Sequence, residues 1–269
     1  MPKNELKRLL KDGKSAVGSW IGFCDPYSAE LMASAGFDWL LIDMEHFPLG
    51  REALRTILMA CKGSDSTAIV RVPTNSREHV SAALDLGAAG VMIPMVNSLA
   101  DAQRAVEFSR YPPLGTRGTG PVRASHYMNN FERYRSEAND ELVLFVQIET
   151  PQAIANASQI LSVESLDGLF IGNGDLASFM NGGQPSREVD RVVDDLIVLA
   201  KEMSIPVGLP SWSPEEFSTY EQRGAQLLTI GSDMAFMAQG AQTQLSGVRR
   251  KQRNAAPSLP ELQMNTSRK

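Results

Sequence analysis

The chain is poor in cysteine: Cys24 and Cys61 are its two, among 269 residues. Neither sits in CxxC spacing or beside a histidine, which argues against a disulfide framework and a cysteine-based zinc site and fits a reducing cytoplasm. Positive charge is scarce as well. A net charge of −5 excludes a general polyanion binder, because affinity for a phosphate backbone needs clustered Lys and Arg. Any attraction for an anionic substrate must then come from a few placed arginines and a metal ion. No apolar run approaches the ~18 residues of a membrane span, and the opening MPKNELKRLLKDGKSAVGSW carries charges where an export signal would be apolar. Neither a membrane location nor export is expected. Also missing is a GxGxxG or phosphate-binding loop. The turn after the first apolar run reads FCDPYSAE, which disfavours a nucleotide-binding open sheet.

What the chain does have is a rhythm. Short aliphatic runs at 17–23, 39–43, 68–72, 90–94, 142–148, 168–171, 206–209 and 227–230 each lead into a segment of helical spacing. Runs such as DWLLID, LVLFVQI and DGLFIG are continuously apolar, as strands covered on both faces must be. Amphipathic stretches such as REALRTILMACK and SLADAQRAVEFSR separate them, several closed by a glycine before the next strand. Eight βα units within ~250 residues predict one (β/α)₈ barrel over residues 1–250. Two segments break the rhythm. Residues 111–140, YPPLGTRGTGPVRASHYMNNFERYRSEAND, are too long for a routine connection and are expected to be functional. Residues 251–269 are expected to form a flexible polar tail.

Barrels of this kind carry their chemistry where strands end. The second strand ends in IDMEH, with Asp43, Glu45 and His46; the third in VRVP, with Arg71; the fifth in FVQIET, with Gln147 and Glu149; the sixth in FIGNGDL, with Asp175. Glu149 and Asp175 on neighbouring exits make half a shell of hard oxygen ligands, suited to magnesium or manganese, although two such carboxylates also serve as structural ion pairs. His46 is the histidine at a strand exit and titrates near neutrality, which suits proton transfer; a packed histidine is the plainer reading. Arg71 follows an apolar strand, so its guanidinium emerges at the mouth to fork onto an oxyanion or onto Asp43 or Glu45. A Schiff-base mechanism needs a lysine there. The eight lysines, Lys3, Lys7, Lys11, Lys14, Lys62, Lys201, Lys251 and Lys269, all lie elsewhere, so enolate stabilisation by a metal is the simpler route.

Taken in order, GSWIGFCDPYSAELMASAGFDWLLIDMEH, IVRVP, VMIPMV, RYPPLGTRG, VQIET and IGNGDL resemble the HpcH/HpaI aldolase/citrate lyase family, over roughly residues 5 to 250. The resemblance implies a metal-dependent aldolase that releases pyruvate and an aldehyde from a 4-hydroxy-2-oxo acid or a 2-dehydro-3-deoxy sugar acid. It also implies a homo-oligomer, often a hexamer built as a trimer of dimers, with the last helix, residues 234–250 carrying Phe236, Met237 and Leu245, swapped between subunits. By the same resemblance Glu149 and Asp175 ligate Mg²⁺ or Mn²⁺, with Co²⁺ a further option. Arg71 stabilises the enolate oxygen. His46 acts through water as acid and base, supported by Asp43 and Asp85, Gln147 orients the metal site, and backbone N–H groups near Gly174 and Asp175 hold the pyruvate carboxylate. Asp85 sits at the helix end ALDLG, where a cap or an intersubunit role is the competing reading. Many relatives read Gly-Pro-Ala-Asp or Gly-Ser-Asn-Asp where this chain has Gly172, Asn173, Gly174 and Asp175. That departure keeps oxaloacetate decarboxylation and a macrophomate-synthase-like use of its enolate open. An acyl-CoA lyase of the citrate lyase β type, with Arg117 and Arg123 for the CoA phosphates, and a catalytically silent assembly subunit complete the alternatives; the same two arginines equally suit the carboxylate or hydroxyls of an aldehyde substrate.

Overall fold

The apolar runs become strands whose two faces are both covered. All residues of β2 and β5 are buried. In the computed structural model, which describes residues 3–184 and 186–255, the strands are β1 (Ala16–Ile21), β2 (Trp39–Asp43), β3 (Thr67–Arg71), β4 (Gly90–Ile93), β5 (Val143–Ile148), β6 (Gly168–Ile171), β7 (Val207–Ser211) and β8 (Leu227–Ser232). They pair in parallel and in chain order, and β8 closes onto β1. This is the (β/α)₈ barrel expected from the sequence, and every expected strand end falls within two residues of the observed one.

Helix α1 (Glu5–Lys11) precedes the barrel. The connections carry α2 (Pro26–Ser34), α3 (Arg51–Ala60), α4 (Arg77–Asp85), α5 (Leu99–Ser109), α6 (Phe131–Glu141), α7 (Pro151–Ala155), α8 (Ala157–Leu161), α9 (Asn173–Asn181), α10 (Arg187–Glu202) and α11 (Pro214–Arg223). Their starts are chemically specified. Asp25, Ser76, Ser98, Thr150, Ser186 and Ser213 each accept a hydrogen bond from an N–H in the first turn of the helix that follows, which satisfies donors that a helix leaves unpaired.

Strand alternation divides the apolar side chains into two sets. Leu40, Ile42, Val70, Val91, Leu144 and Val146 face the helices. Trp39, Leu41, Ile69, Met92, Val143, Phe145, Phe170 and Leu227 fill the barrel, and Leu6 and Leu10 of α1 close its floor. Trp39 is the largest of these. It meets Phe145 and Phe170 edge-on at 6.3 Å, and it fits because residue 18 is glycine: a Cβ there would lie 2.3 Å from the indole. The floor is tied by polar contacts too. Asn4 N–H donates to Glu141, its side-chain amide to Ala89 O, and Lys7 pairs with Asp167 at 2.9 Å.

Residues up to Asp233 form one compact unit and those from Met234 a second. Helix α12 (Asp233–Ala255) runs past the end at 250 expected from the sequence, and Met237, Leu245 and Val248 on it are exposed. The rest of the expected tail, 256–269, lies outside the described residues. No helix among the described residues is long and apolar enough to cross a membrane. The long insertion is anchored to α4 and its following turn: Arg77 donates to Thr116 O, Arg117 to Asp85, Arg123 to Leu86 O, and Ala124 N–H to Asp85 O.

Candidate active site

On three strands the inward file of side chains turns polar at its last step. On β5 the file runs Val143, Phe145, Gln147 and then Glu149; on β2 it runs Trp39, Leu41, Asp43; on β3 it runs Ile69, Arg71. Asp43 and Arg71 are register partners on adjacent strands, which puts their side chains face to face. Arg71 Nε donates to Asp43 Oδ1 at 2.9 Å and Nη2 to Oδ2 at 2.6 Å, a planar two-point fork. Asp43 Oδ1 also accepts the N–H groups of Glu45, at 3.0 Å, and His46, at 3.4 Å, so the same carboxylate shapes the turn after β2. The remaining Arg71 nitrogen, Nη1, faces Glu45 Oε2 at 3.3 Å. Beneath it the Trp20 ring lies 4.4 Å from the guanidinium carbon, itself fixed by a 2.8 Å bond from Nε1 to Thr229. Arg71 is only 4% exposed.

Across the mouth, Glu149 is held from both sides. Oε1 accepts the Met95 N–H at 2.7 Å, and Oε2 accepts the Gln147 amide. Met95 reaches that position with φ of +53°, a conformation that most side chains avoid. Glu149 is 2% exposed. Burial, together with the nearby carboxylates of Glu45 and Asp175, pushes it up to about 7 against the opposing Met95 hydrogen bond and Arg71 charge. Glu45 is likewise pushed up to about 7, first by burial and then, against the pull of Arg71, by Asp43 and Asp175. Asp175 lies in the first turn of α9, which starts from Gly172 without a side-chain cap. His46 stands at the rim, its side chain 58% exposed and Nε2 3.9 Å from Glu45 Oε2.

Asp43, Arg71, Gln147, Glu149, Asp175 and Gly174 therefore gather at one end of the barrel, with His46 above them. Asp85 does not join them: it closes α4, where Arg117 donates to it at 2.8 Å and Tyr134 also receives Arg117. Arg117 is buried and Arg123 donates to the Leu86 and Leu58 carbonyls, so both arginines considered for a CoA groove are engaged inside the fold. A cavity of about 500 Å³ lined by Glu30, Asp38, Lys62 and Asp65 shares no residue with the mouth. Sequence reading missed Trp20, the Met95 N–H and the extent of Glu45's involvement. It also missed Asp233, which accepts the N–H groups of Gly22 and Phe23 and the Ser28 hydroxyl, fixing the loop after β1.

The donor set fits a hard divalent cation. Gly172 leaves a cradle beside the ligand: a Cβ there would lie 2.7 Å from Glu149 Oε2 and 2.9 Å from the Gln147 amide nitrogen. Gln147 Oε1 is buried without a hydrogen-bond partner, and a positive charge among the crowded carboxylates would relieve their repulsion. No three His, Cys, Asp or Glu side chains among the described residues form a ready-made cage. An ion would thus rest on two carboxylates and keep its other positions for water or substrate oxygens, as magnesium commonly does.

Similarity to known proteins identifies the family and the fold. The family model described as HpcH/HpaI aldolase/citrate lyase matches residues 16–239. A 4-hydroxy-2-oxo-heptane-1,7-dioate aldolase of Klebsiella pneumoniae subsp. pneumoniae is 39% identical over 243 residues, 89% of this chain and 91% of the relative. Among solved structures, an HpcH/HpaI aldolase/citrate lyase family protein from Burkholderia cenocepacia J2315 superposes with a TM-score of 0.87 at 30% identity, covering 92% of this chain and 100% of that one. An HpcH/HpaI aldolase from Desulfitobacterium hafniense DCB-2 gives 0.84 at 27% identity, with 94% and 98% covered.

Proposed function

This chain belongs to the HpcH/HpaI aldolase/citrate lyase family and is a carbon–carbon lyase, and we propose that it cleaves a 4-hydroxy-2-oxo acid or 2-dehydro-3-deoxy sugar acid to pyruvate and an aldehyde through an enolate. The observation that carries the reading is the mouth itself: a buried, doubly anchored Glu149 opposite an Arg71 whose orientation Asp43 fixes. Glu149 and Asp175 would hold Mg²⁺ or Mn²⁺, which supplies Lewis-acid polarisation of the substrate's 2-oxo group.

The chain's own groups do the rest. The N–H groups at Gly174 and Asp175, in the first turn of α9, receive the substrate carboxylate, as helix N-termini receive anions. Gln147 keeps the Glu149 carboxylate in place. His46, through a water molecule, takes the proton of the C4 hydroxyl; the C3–C4 bond breaks, C4 leaves as the aldehyde, and the bonding pair moves through C3 onto the C2 oxygen. Arg71 Nη1 stabilises that oxyanion, with Trp20 and the Asp43 fork holding the guanidinium so that little reorganisation is needed. Return of a proton to C3 gives pyruvate. Asp85 enters this scheme only as a support from a neighbouring subunit. We further propose a cytoplasmic homo-oligomer, a hexamer with swapped α12, for which the exposed Met237, Leu245 and Val248 provide the apolar surface.

The test follows exchange of the pyruvate C3 protons with deuterium by NMR, with Mg²⁺ or Mn²⁺ and then with EDTA. Metal-dependent exchange is expected, with a loss of about 10³-fold in Glu149→Gln, comparable to removal of a principal electrostatic group. His46→Ala should lose about 10²-fold in aldol cleavage, the lower range for acid–base catalysis. Absence of exchange with every metal would sink the reading.

A further inference from the structure

The backbone that reaches Glu149 departs from the sheet to do so. β4 and β5 pair through Ile93 and Val146, and the ladder resumes where the Val96 N–H donates to Gln147 O at 3.2 Å. Between these two points lie Pro94 and Met95. Proline has no N–H to give, and Met95, at φ of +53°, gives its own to Glu149 Oε1 at 2.7 Å. A methionine keeps that left-handed conformation only where its surroundings over-determine it.

Those surroundings form a closed ring of contacts. Asn97 Nδ2 donates to Met95 O at 3.0 Å, and Asn97 Oδ1 accepts the Thr150 hydroxyl. Thr150 Oγ1 also accepts the Ala153 N–H at 3.0 Å, which leaves its own proton for Asn97. Because Thr150 follows Glu149 in the chain, the path returns to its start: Glu149 carboxylate, Met95 backbone, Asn97 amide, Thr150 hydroxyl, Glu149 backbone. Asn97 is fixed from outside the ring as well. Its N–H donates to Asp101 Oδ2 at 3.1 Å, and its carbonyl accepts the Asn156 amide at 2.8 Å. Asp101 O in turn accepts the Asn75 amide at 2.8 Å, which joins the loop after β3 to the same assembly.

The consequence falls on the carboxylate. A group that orients a metal ligand contributes to affinity without touching the ion. Glu149 has two such groups, the Gln147 amide on Oε2 and the Met95 N–H on Oε1. The second depends on a backbone conformation that Asn97 holds from the far side of the Met95 peptide.

We propose that Asn97, acting with Thr150, is a positioning residue for the metal site: it keeps the Met95 N–H aimed at Glu149 and thereby sets the affinity of the mouth for a divalent cation. The proposal rests on the reading of Glu149 and Asp175 as metal ligands.

The test measures Mn²⁺ binding to the full chain, first freed of metal with EDTA, from the EPR signal of unbound Mn²⁺ and with no substrate present. Glu149→Gln should abolish binding. Asn97→Ala should raise the Kd by about 10-fold, the lower range for loss of a group that orients a ligand. Thr150→Val, which breaks the ring at another point, should raise it in the same direction, and Thr150→Ser, which keeps the hydroxyl, should restore it. The double variant Asn97→Ala/Thr150→Val should bind no worse than Asn97→Ala, because the two residues act as one unit. A merely structural Asn97 would lower the urea midpoint of the metal-free protein and leave the Kd of the folded protein unchanged. A wild-type Kd in both Asn97→Ala and Asn97→Leu, or effects that multiply in the double variant, overturns the proposal; binding lost in Glu149→Gln alone then spares the metal reading. Wild-type protein that binds no Mn²⁺ overturns both.

Discussion

The barrel has a buried aspartate–arginine pair at each end, and the two pairs keep different company. At the floor, Arg110 is 1% exposed; Nη1 donates to Leu142 O, and Nη2 to Ser165 O and Asp167 Oδ2. Asp167 receives Lys7 as well, and the Leu144 N–H. Two cations serve one carboxylate. At the mouth, one guanidinium faces Asp43 and Glu45 directly, and Glu149 and Asp175 lie close enough to act on the same charges. A buried ion pair is therefore no marker of chemistry in itself. The marker is the imbalance, a surplus of buried negative charge that a closed fold has no structural reason to accumulate.

That contrast can be broken at either end. After Glu149→Gln, the largest effect is expected from Arg71→Lys, which keeps the charge but loses the fork to Asp43 and the stacking on Trp20. Enolate formation should fall by about 10²-fold, the scale of one oxyanion-stabilising donor, with little change in urea stability. If exchange kinetics are unaffected, Arg71 is only a structural partner of Asp43. At the floor the outcome should invert: Asp167→Asn should destabilise by about 3 kcal/mol, as removal of one partner from a buried pair does, and leave kcat/KM within about 2-fold. Urea denaturation read beside the exchange assay would expose any failure of that separation.

The smallest effect is a slope with pH. A carboxyl raised from 4.5 to about 7 on folding, as Glu45 and Glu149 are, binds more protons in the native than in the unfolded state between those values. The metal-free protein should therefore lose stability as pH rises through about 5 to 7, a decline of a few degrees in Tm. Mn²⁺ should flatten that slope and Glu149→Gln should reduce it. A metal-free Tm that climbs over the same range would contradict the charge surplus.

How much of this was legible in the sequence follows from what the sequence encodes locally. Continuous apolar runs betray strands covered on both faces, so β2 and β6 were legible to the residue. Asp43, Arg71, Gln147 and Glu149 stood out because each is a polar member at the end of an otherwise apolar inward file. Trp20 did not, since an indole at the end of β1 looks like core. Met95 acts through a backbone N–H, which no side-chain pattern reveals. The Arg117–Asp85 pair spans 32 positions and the Asn173–Tyr220 bond 47, separations at which only the closed barrel decides who meets whom. The insertion was recognised as unusual by its length, but its path along α4 depends on those distant pairings.

Helix α1 imposes an order of events on the growing chain. It leaves the ribosome ahead of everything it seals, and its anchors follow far behind: Ala89 comes 85 positions after Asn4, and Leu142 comes 135 after Lys7. Until β5 and Asp167 have been made, Leu6 and Leu10 have no floor to close. Such long-range closure delays the return on the entropy already lost, which makes seating of this one short helix a late act of folding and a sign that most of the barrel has already been delivered.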